Sequence, residues 1–341
     1  MKQLRCAIIG CGRIGCGFDD KTTKTIMTHA GSYFNNSNTK LIALCDIDQK
    51  KLKKYGKKYN INNLYTTSDE MFENETIDCV SICTLVDTHL ELVTQAVKHG
   101  IKAIFLEKPI SNSLHTAKKI INICNDNNVI LLIDHQRRFD PFFHTLKDLI
   151  QTKKLGTIQS INIYYGSGIS NTGSHIFDLI RLFFGEAVSV NARYSKNTSS
   201  NKLDPNLNII LKFKNDVECV LHALDYRQYG LLEMDILGSL GRLTLNLTSK
   251  NICYSKISTK NGVVYKTLIP SSLNIKNSKM SAIQLGIKNL VNCVLLKHKP
   301  MCTGHDGYKS LELIIASLQS ANQNKIIILP LTNNKKKISS R

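Results

Sequence analysis

Apolar residues fall in short, nearly unbroken runs through the first part of the chain, at 7–9, 41–45, 77–83, 103–106 and 129–133. Between them, 87–99 and 114–125 repeat their apolar positions at helical spacing, and a further helix is expected around His29. Unbroken apolar strands separated by helices predict a parallel sheet covered on both faces, and right-handed crossovers make it doubly wound. The pattern changes from residue 158. Segments 159–165, 188–194, 207–213, 217–224, 233–237 and 242–247 alternate inward and outward residues, with Asn215 and Asp216 as a turn. That period of two predicts a mostly antiparallel sheet. A helix at 142–152 leads in and helices at 283–296 and 308–322 lead out, so that helices cover one face of an α+β domain. The reading is therefore an α/β domain over 1–134 and an α+β domain with a large open-faced sheet over 135–341.

The first apolar run enters Gly10-Cys11-Gly12-Arg13-Ile14-Gly15, a Gly-x-Gly-x-x-Gly turn. In such a turn Gly10 permits the tight bend, Gly12 lets a pyrophosphate approach the backbone, and Gly15 lets the next helix pack close to its strand. The N-terminus of that helix then faces the phosphates. The second run ends in Asp46, where an acid holds the adenosine ribose hydroxyls. The interval between glycines and acid exceeds the usual spacing of about twenty residues. Its excess fits the polar segment 18–26, read as an inserted loop near the cofactor. A 2'-phosphate beside Asp46 meets a like charge, costing about 4 kcal/mol at a separation of about 4 Å. NAD is accordingly expected over NADP.

The chain carries 341 residues, a length that suits two domains. No cleavable signal is expected at Met1, and the apolar runs fall far short of the roughly 20 residues that span a bilayer. A cytoplasmic protein without membrane contact is expected. The eleven cysteines include no Cys-x-x-Cys pair and read as reduced thiols, with no metal site. The net charge of +19 is spread along the chain, densest at 50–58 and 335–337. Without a recognisable nucleic-acid module it reads as a solvated face and a tail, with a positive field that draws anionic substrates and no nucleic-acid role.

At the end of the 103–106 run stands Glu107-Lys108-Pro109, followed at distance by Arg137-Arg138-Phe139-Asp140-Pro141 and Gly173-Ser174-His175-Ile176-Phe177-Asp178. With the glycine turn, Asp46, Thr84 and His89, these motifs resemble the Gfo/Idh/MocA oxidoreductase family over nearly the whole chain. The resemblance implies that Lys108 reaches the nicotinamide and the substrate oxygen, and that the bond before Pro109 is cis. It implies cofactor contacts from Gly10, Gly12, Arg13, Ile14, Gly15, Asp46, Thr84, His89 and Glu107. Substrate contacts fall to Asn171, Asp178, Arg137 and Tyr165, with Tyr164 and Tyr165 alternatively lining the sheet. Which of Arg137 and Arg138 meets an anionic group and which forms a structural ion pair stays open.

At about 100° per residue, Ile176, Leu179, Ile180 and Phe183 share one helix face, while Asn171, His175 and Asp178 lie on another strip. Asn171 or Thr172 is expected to cap that helix and Gly185 to end it. Relatives carry aspartate where this chain has Asn171, which cannot take a proton. The acid–base role then falls to His175, with Lys108.

The function implied is an NAD-dependent oxidoreductase moving a hydride between nicotinamide and a secondary alcohol or ketone of a sugar, inositol or nucleotide sugar. Two alternatives remain: a redox-neutral NAD-dependent glycosidase-type enzyme, and a non-catalytic NAD-binding regulator. The family commonly pairs the open sheet between subunits, so a homo-oligomer, dimer or tetramer, is expected.

Overall fold

The computed structural model describes residues 3–20, 25–197, 199, 201–227, 229–258, 265–332 and 336–338. The chain divides into two compact units, Met1–Asp140 with Ser278–Leu311, and Pro141–Asn277 with Glu312–Ser340.

The first unit is built on six parallel strands: β1 (Leu4–Ile9), β2 (Thr39–Cys45), β3 (Asn63–Tyr65), β4 (Cys79–Ile82), β5 (Ala103–Leu106) and β6 (Ile130–Ile133). Their order is β3-β2-β1-β4-β5-β6. Every residue of β4 and β5 is buried, as strands covered on both faces require. The covering helices are α1 (His29–Phe34), α2 (Gln49–Tyr59), α3 (Ser68–Asn74), α4 (His89–Lys98) and α5 (Leu114–Asp126). Thr28, Asp48, Thr67 and Ser113 cap α1, α2, α3 and α5 by accepting from first-turn amides. The strand order reverses between β1 and β4, so the crevice beyond their C-terminal ends is where an open α/β sheet receives a ligand.

The second unit opens with α6 (Pro141–Gln151) and carries α7 (Ser174–Phe184) against a nine-stranded sheet. The strands are β7 (Ile158–Tyr165), β8 (Ala187–Tyr194), β9 (Leu207–Phe213), β10 (Glu218–Ala223), β11 (Glu233–Gly238), β12 (Gly241–Asn246), β13 (Ile252–Ile257), β14 (Leu268–Ser271) and β15 (Ile327–Ile328). In the order β14-β13-β12-β11-β7-β10-β9-β8-β15, the β7–β10 pair is parallel and the rest antiparallel. Alternation is strict in β9. Leu207, Ile209, Leu211 and Phe213 are buried, while Asn208, Ile210 and Lys212 are exposed on the other face. Phe184 of α7 meets Phe213 on the covered side.

One helix departs from the expected division. Helix α8 (Ala282–Leu296), read from the sequence as a cover for the second sheet, belongs to the first unit. Gly286 explains the placement, because a Cβ there would lie 2.7 Å from Phe105 Cζ and 3.1 Å from Phe139 Cδ2. Helical periodicity shows that a face is buried, not which sheet buries it. The long α9 (Gly304–Gln323) begins among first-unit residues and ends among second-unit ones. Among the described residues no helix is long and apolar enough to cross a membrane.

Candidate functional site

The glycine turn at the end of β1 is shaped by close approach. Gly10 has φ +95°, and a Cβ on it would sit 2.7 Å from the Cys83 carbonyl oxygen. A Cβ on Gly15 would lie 2.0 Å from the carbonyl oxygen of Gly10, so neither position tolerates a side chain. Gly12 differs: nothing lies within 4 Å of its Cβ position. The amides of Gly12, Arg13, Ile14 and Gly15 have no acceptor among the described residues. Four donors around a glycine with open space fit a bound pyrophosphate.

The helix expected directly after Gly15 does not begin there. Cys16 and Gly17 turn back onto the Gly12 carbonyl, and a 3₁₀ turn follows at Gly17–Asp20. The next described helix is α1, whose His29 and Ala30 amides donate to the carbonyls of Ile14 and Gly15. The glycine turn therefore serves as the first turn of α1, with the intervening segment looped out. Of the expected 18–26 insertion, 21–24 lie outside the described residues. Its start is fastened: Asp19 accepts from the amide of Met27 and the hydroxyl of Thr28, and Asp20 accepts from Lys54, Lys58 and the Tyr55 hydroxyl. Arg13 is exposed, its guanidinium 4.9 Å from the Phe18 ring centre. Cys11, Gly12, Arg13, Phe18, Asp20 and Lys51 line a cleft of about 470 Å³ beside the turn.

Asp46 follows β2. Its Oδ2 accepts from the Cys11 amide at 2.6 Å and its Oδ1 from the Asp48 amide at 2.8 Å, with Lys51 Nζ 4.0 Å away. The carboxylate is thus held at the rim of the glycine turn.

Thr84 follows β4, its hydroxyl 2.7 Å from that of Thr88, and Leu85 beside it is exposed. His89 is 1% exposed, and its ring nitrogens approach the carbonyls of Ile110 and Thr84. Burial lowers its pKa, so it is a neutral support beneath the loop. Glu107 and Lys108 follow β5, and the Lys108–Pro109 bond is cis. The Glu107 carboxylate turns inward to His29 Nε2 at 3.2 Å. Arg138 is buried and pairs with Asp306 at 3.1 Å, which makes it the structural arginine; Arg137 is half-buried.

In the second unit, His175 stands half-buried in the first turn of α7, and Gly185 ends that helix at φ +84°. The start differs from expectation. Neither Asn171 nor Thr172 caps it; a π-helical turn at Gly168–Gly173 leads in, and Asp204 receives the amides of Ser170 and Asn171 at 2.7 and 2.9 Å. A cap supplied from 33 residues downstream leaves no local signal. The Asn171 side chain donates to Ser167, and Asp178 is 1% exposed with Arg181 Nη1 3.8 Å away. Tyr165 is a correction: it is fully buried, donating to the Leu207 carbonyl and accepting from the Leu207 amide. Its hydroxyl is committed to the core, and Tyr164, stacked on His222, is the outward residue.

A family model described as an oxidoreductase family with an NAD-binding Rossmann fold matches residues 4–135, and its C-terminal α/β domain partner matches 165–329. The chain belongs to the Gfo/Idh/MocA family. This member is 24% identical to D-apiose dehydrogenase of Paraburkholderia graminis, over 93% of this chain and 88% of that one. It is also 24% identical to myo-inositol 2-dehydrogenase of Thermotoga maritima, over 96% and 98%. Among solved structures, the WlbA dehydrogenase of Bordetella pertussis in complex with NADH and UDP-GlcNAcA matches with TM-score 0.78 and 18% identity, covering 97% of this chain and 100% of that one. The Rossmann unit is NAD-binding, and the chain is an oxidoreductase of this family.

Sequence reading did not single out His29 and Asp134 as functional. Asp134 carried a signal all the same, since it ends an apolar strand run as Glu107 does, at the edge where such sheets bind ligands. His29 carried none, because its approach to Glu107 depends on the looped-out segment.

Proposed function

We propose that this protein is an NAD-dependent dehydrogenase acting on a secondary alcohol or ketone of a sugar, inositol or nucleotide sugar. The observation that carries the reading is the succession of groups on adjacent strand ends. The donor turn follows β1, Thr84 follows β4, and Glu107-Lys108-Pro109 follows β5. Bound NAD supplies the hydride acceptor; Gly12 and its neighbouring amides hold the pyrophosphate, and Asp46 holds the ribose. Lys108 holds the substrate oxygen and stabilises negative charge there. His175 takes the hydroxyl proton, the general-base role that imidazole most often fills. Arg137, Asn171 and Asp178 are assigned to orienting the substrate. The dehydrogenases of apiose and myo-inositol among its relatives, and the nucleotide-sugar complex of its structural neighbour, support the substrate class.

The same proposal makes the protein a cytoplasmic homo-oligomer, dimer or tetramer, and the exposed outward positions of β9 support pairing of the sheet. The division of labour, nucleotide binding in the first unit and substrate binding with oligomerisation in the second, belongs to the same proposal. Screening NAD reduction against inositols, hexoses and UDP-sugars tests it. NADH accumulation with one class is expected; no NADH with any of them, with intact NAD binding, overturns it.

A further inference from the structure

A charged cluster is buried behind Lys108. β5 and β6 are parallel neighbours with Leu106 opposite Ile133, so Glu107 and Asp134, one residue on, emerge side by side. Asp134 is fully buried and Glu107 is 9% exposed. Two neighbouring carboxylates in such a setting need a counter-charge or a shared proton. His29, the first residue of α1, places Nε2 3.2 Å from Glu107 Oε1 and 3.3 Å from Asp134 Oδ2. One nitrogen or oxygen atom from each of the three side chains lies within 4.8 Å of the other two.

The other side of the ring decides the proton count. His29 Nδ1 is 3.0 Å from Ser81 Oγ, and Ser81 spends its own proton on the Tyr33 hydroxyl. Ser81 therefore accepts, and Nδ1 carries a proton. A lone pair on Nε2 would then face the Glu107 oxygen with Asp134 beside it, whereas a proton there is donated to Glu107 and its charge faces Asp134 as well. The ring is also wedged edge-on against Phe105, centroids 4.9 Å apart, which fixes its plane.

We propose that His29 is a buried imidazolium that, together with Asp134, acts as a positioning residue for Glu107 and, through Glu107, for Lys108. Glu107 is held ionised by His29 and presents its remaining field to the adjacent Lys108, restricting where the ammonium sits. The titratable and charged groups facing the cluster are Cys83 beyond β4, His89 of α4, Lys108, and Tyr33 through Ser81. The electrostatics agree in direction. Burial opposes the His29 charge, but Cys83, Asp134 and Glu107 outweigh it and raise its pKa well above the usual value. Burial, with the Glu107 charge, pushes Asp134 up to about 7, while His29 brings Glu107 below the ordinary carboxylate range despite burial.

The inference rests on the catalytic reading of Lys108, and its test separates the two. In protein labelled with ¹⁵N-histidine, with His29→Gln locating the resonances, His29 is expected to show both ring nitrogens protonated from about pH 6 to about pH 8, where an ordinary imidazole loses its proton. A neutral His29 at neutral pH overturns the proposal. Asp134→Asn, close in shape, is expected to lower kcat by about tenfold or more with KM for NAD unchanged, as loss of positioning does. Lys108→Ala run in parallel reports on the parent reading: full turnover there refutes the role of Lys108. An inactive Lys108→Ala beside an Asp134→Asn enzyme with wild-type kcat refutes the positioning role alone.

Discussion

The Cys11 amide donates to the Asp46 carboxylate across 2.6 Å, joining the glycine turn to the tip of β2 over 35 residues of sequence. With the Asp48 amide on its other oxygen, the carboxylate is oriented by the protein itself. An acid held this way repels a 2'-phosphate wherever the adenosine ribose lies against it. kcat/KM for NAD is expected to exceed that for NADP by about tenfold or more, equivalent to about 1.4 kcal/mol. Asp46→Ala should narrow the gap, chiefly by weakening NAD. Steady-state kinetics with both cofactors check this, and equal preference in the wild type counts against it.

The glycines of the turn are expected to separate by what their side chains would meet. Gly12→Ala should leave the melting temperature nearly unchanged, since open space receives the methyl, while NAD affinity falls by about tenfold or more. Gly15→Ala should instead destabilise the fold by about 3 kcal/mol or more, at the upper end for overpacked cores, because its methyl collides with the Gly10 carbonyl. Thermal melts alongside NAD titrations distinguish the two outcomes.

Tyr165→Phe removes a buried hydroxyl that serves both backbone groups of Leu207. A loss of about 1–3 kcal/mol in unfolding free energy is expected, the cost of unpaired buried groups. Turnover per folded enzyme should stay at the wild-type level. A selective rise in substrate KM would restore Tyr165 to the substrate site.

Stability should depend on pH through two opposed sets of groups. Burial raises Asp78, but bonds from Arg5 and Lys102 more than reverse this and hold it below the usual carboxylate range. A folded pKa below the unfolded one gives stability that is present above about pH 4 and lost as pH falls. Asp134 acts in the other sense. Its carboxyl, raised to about 7, contributes most below the unfolded value, and that contribution disappears as pH rises through about 7. Chemical denaturation of Asp78→Asn should flatten the acid limb, and Asp134→Asn should flatten the decline toward neutrality.

Much of the first unit was legible because its strands are unbroken apolar runs between turn residues; the 103–106 run coincides with β5 to the residue. The alternation in β7 through β12 was equally plain. The short β3 and β15 were not, since three and two residues leave no period to read. The glycine turn, Asp46 and the Glu107-Lys108-Pro109 edge were visible as local motifs. The environments of Tyr165, His89 and Glu107 were not visible, because the partners that bury them come from 42, 21 and 78 residues away in sequence. A period of two marks Tyr165 as inward or outward but says nothing of Leu207.

The return of α8 to the first unit bears on how the protein is made. Phe105 and Phe139 leave the ribosome long before Gly286, the residue that packs against both. At about 5–20 residues per second, the nascent nucleotide-binding half waits on the order of ten seconds with that apolar seam open. Its final closure belongs to the end of translation, and that interval is where holding chaperones have most to protect.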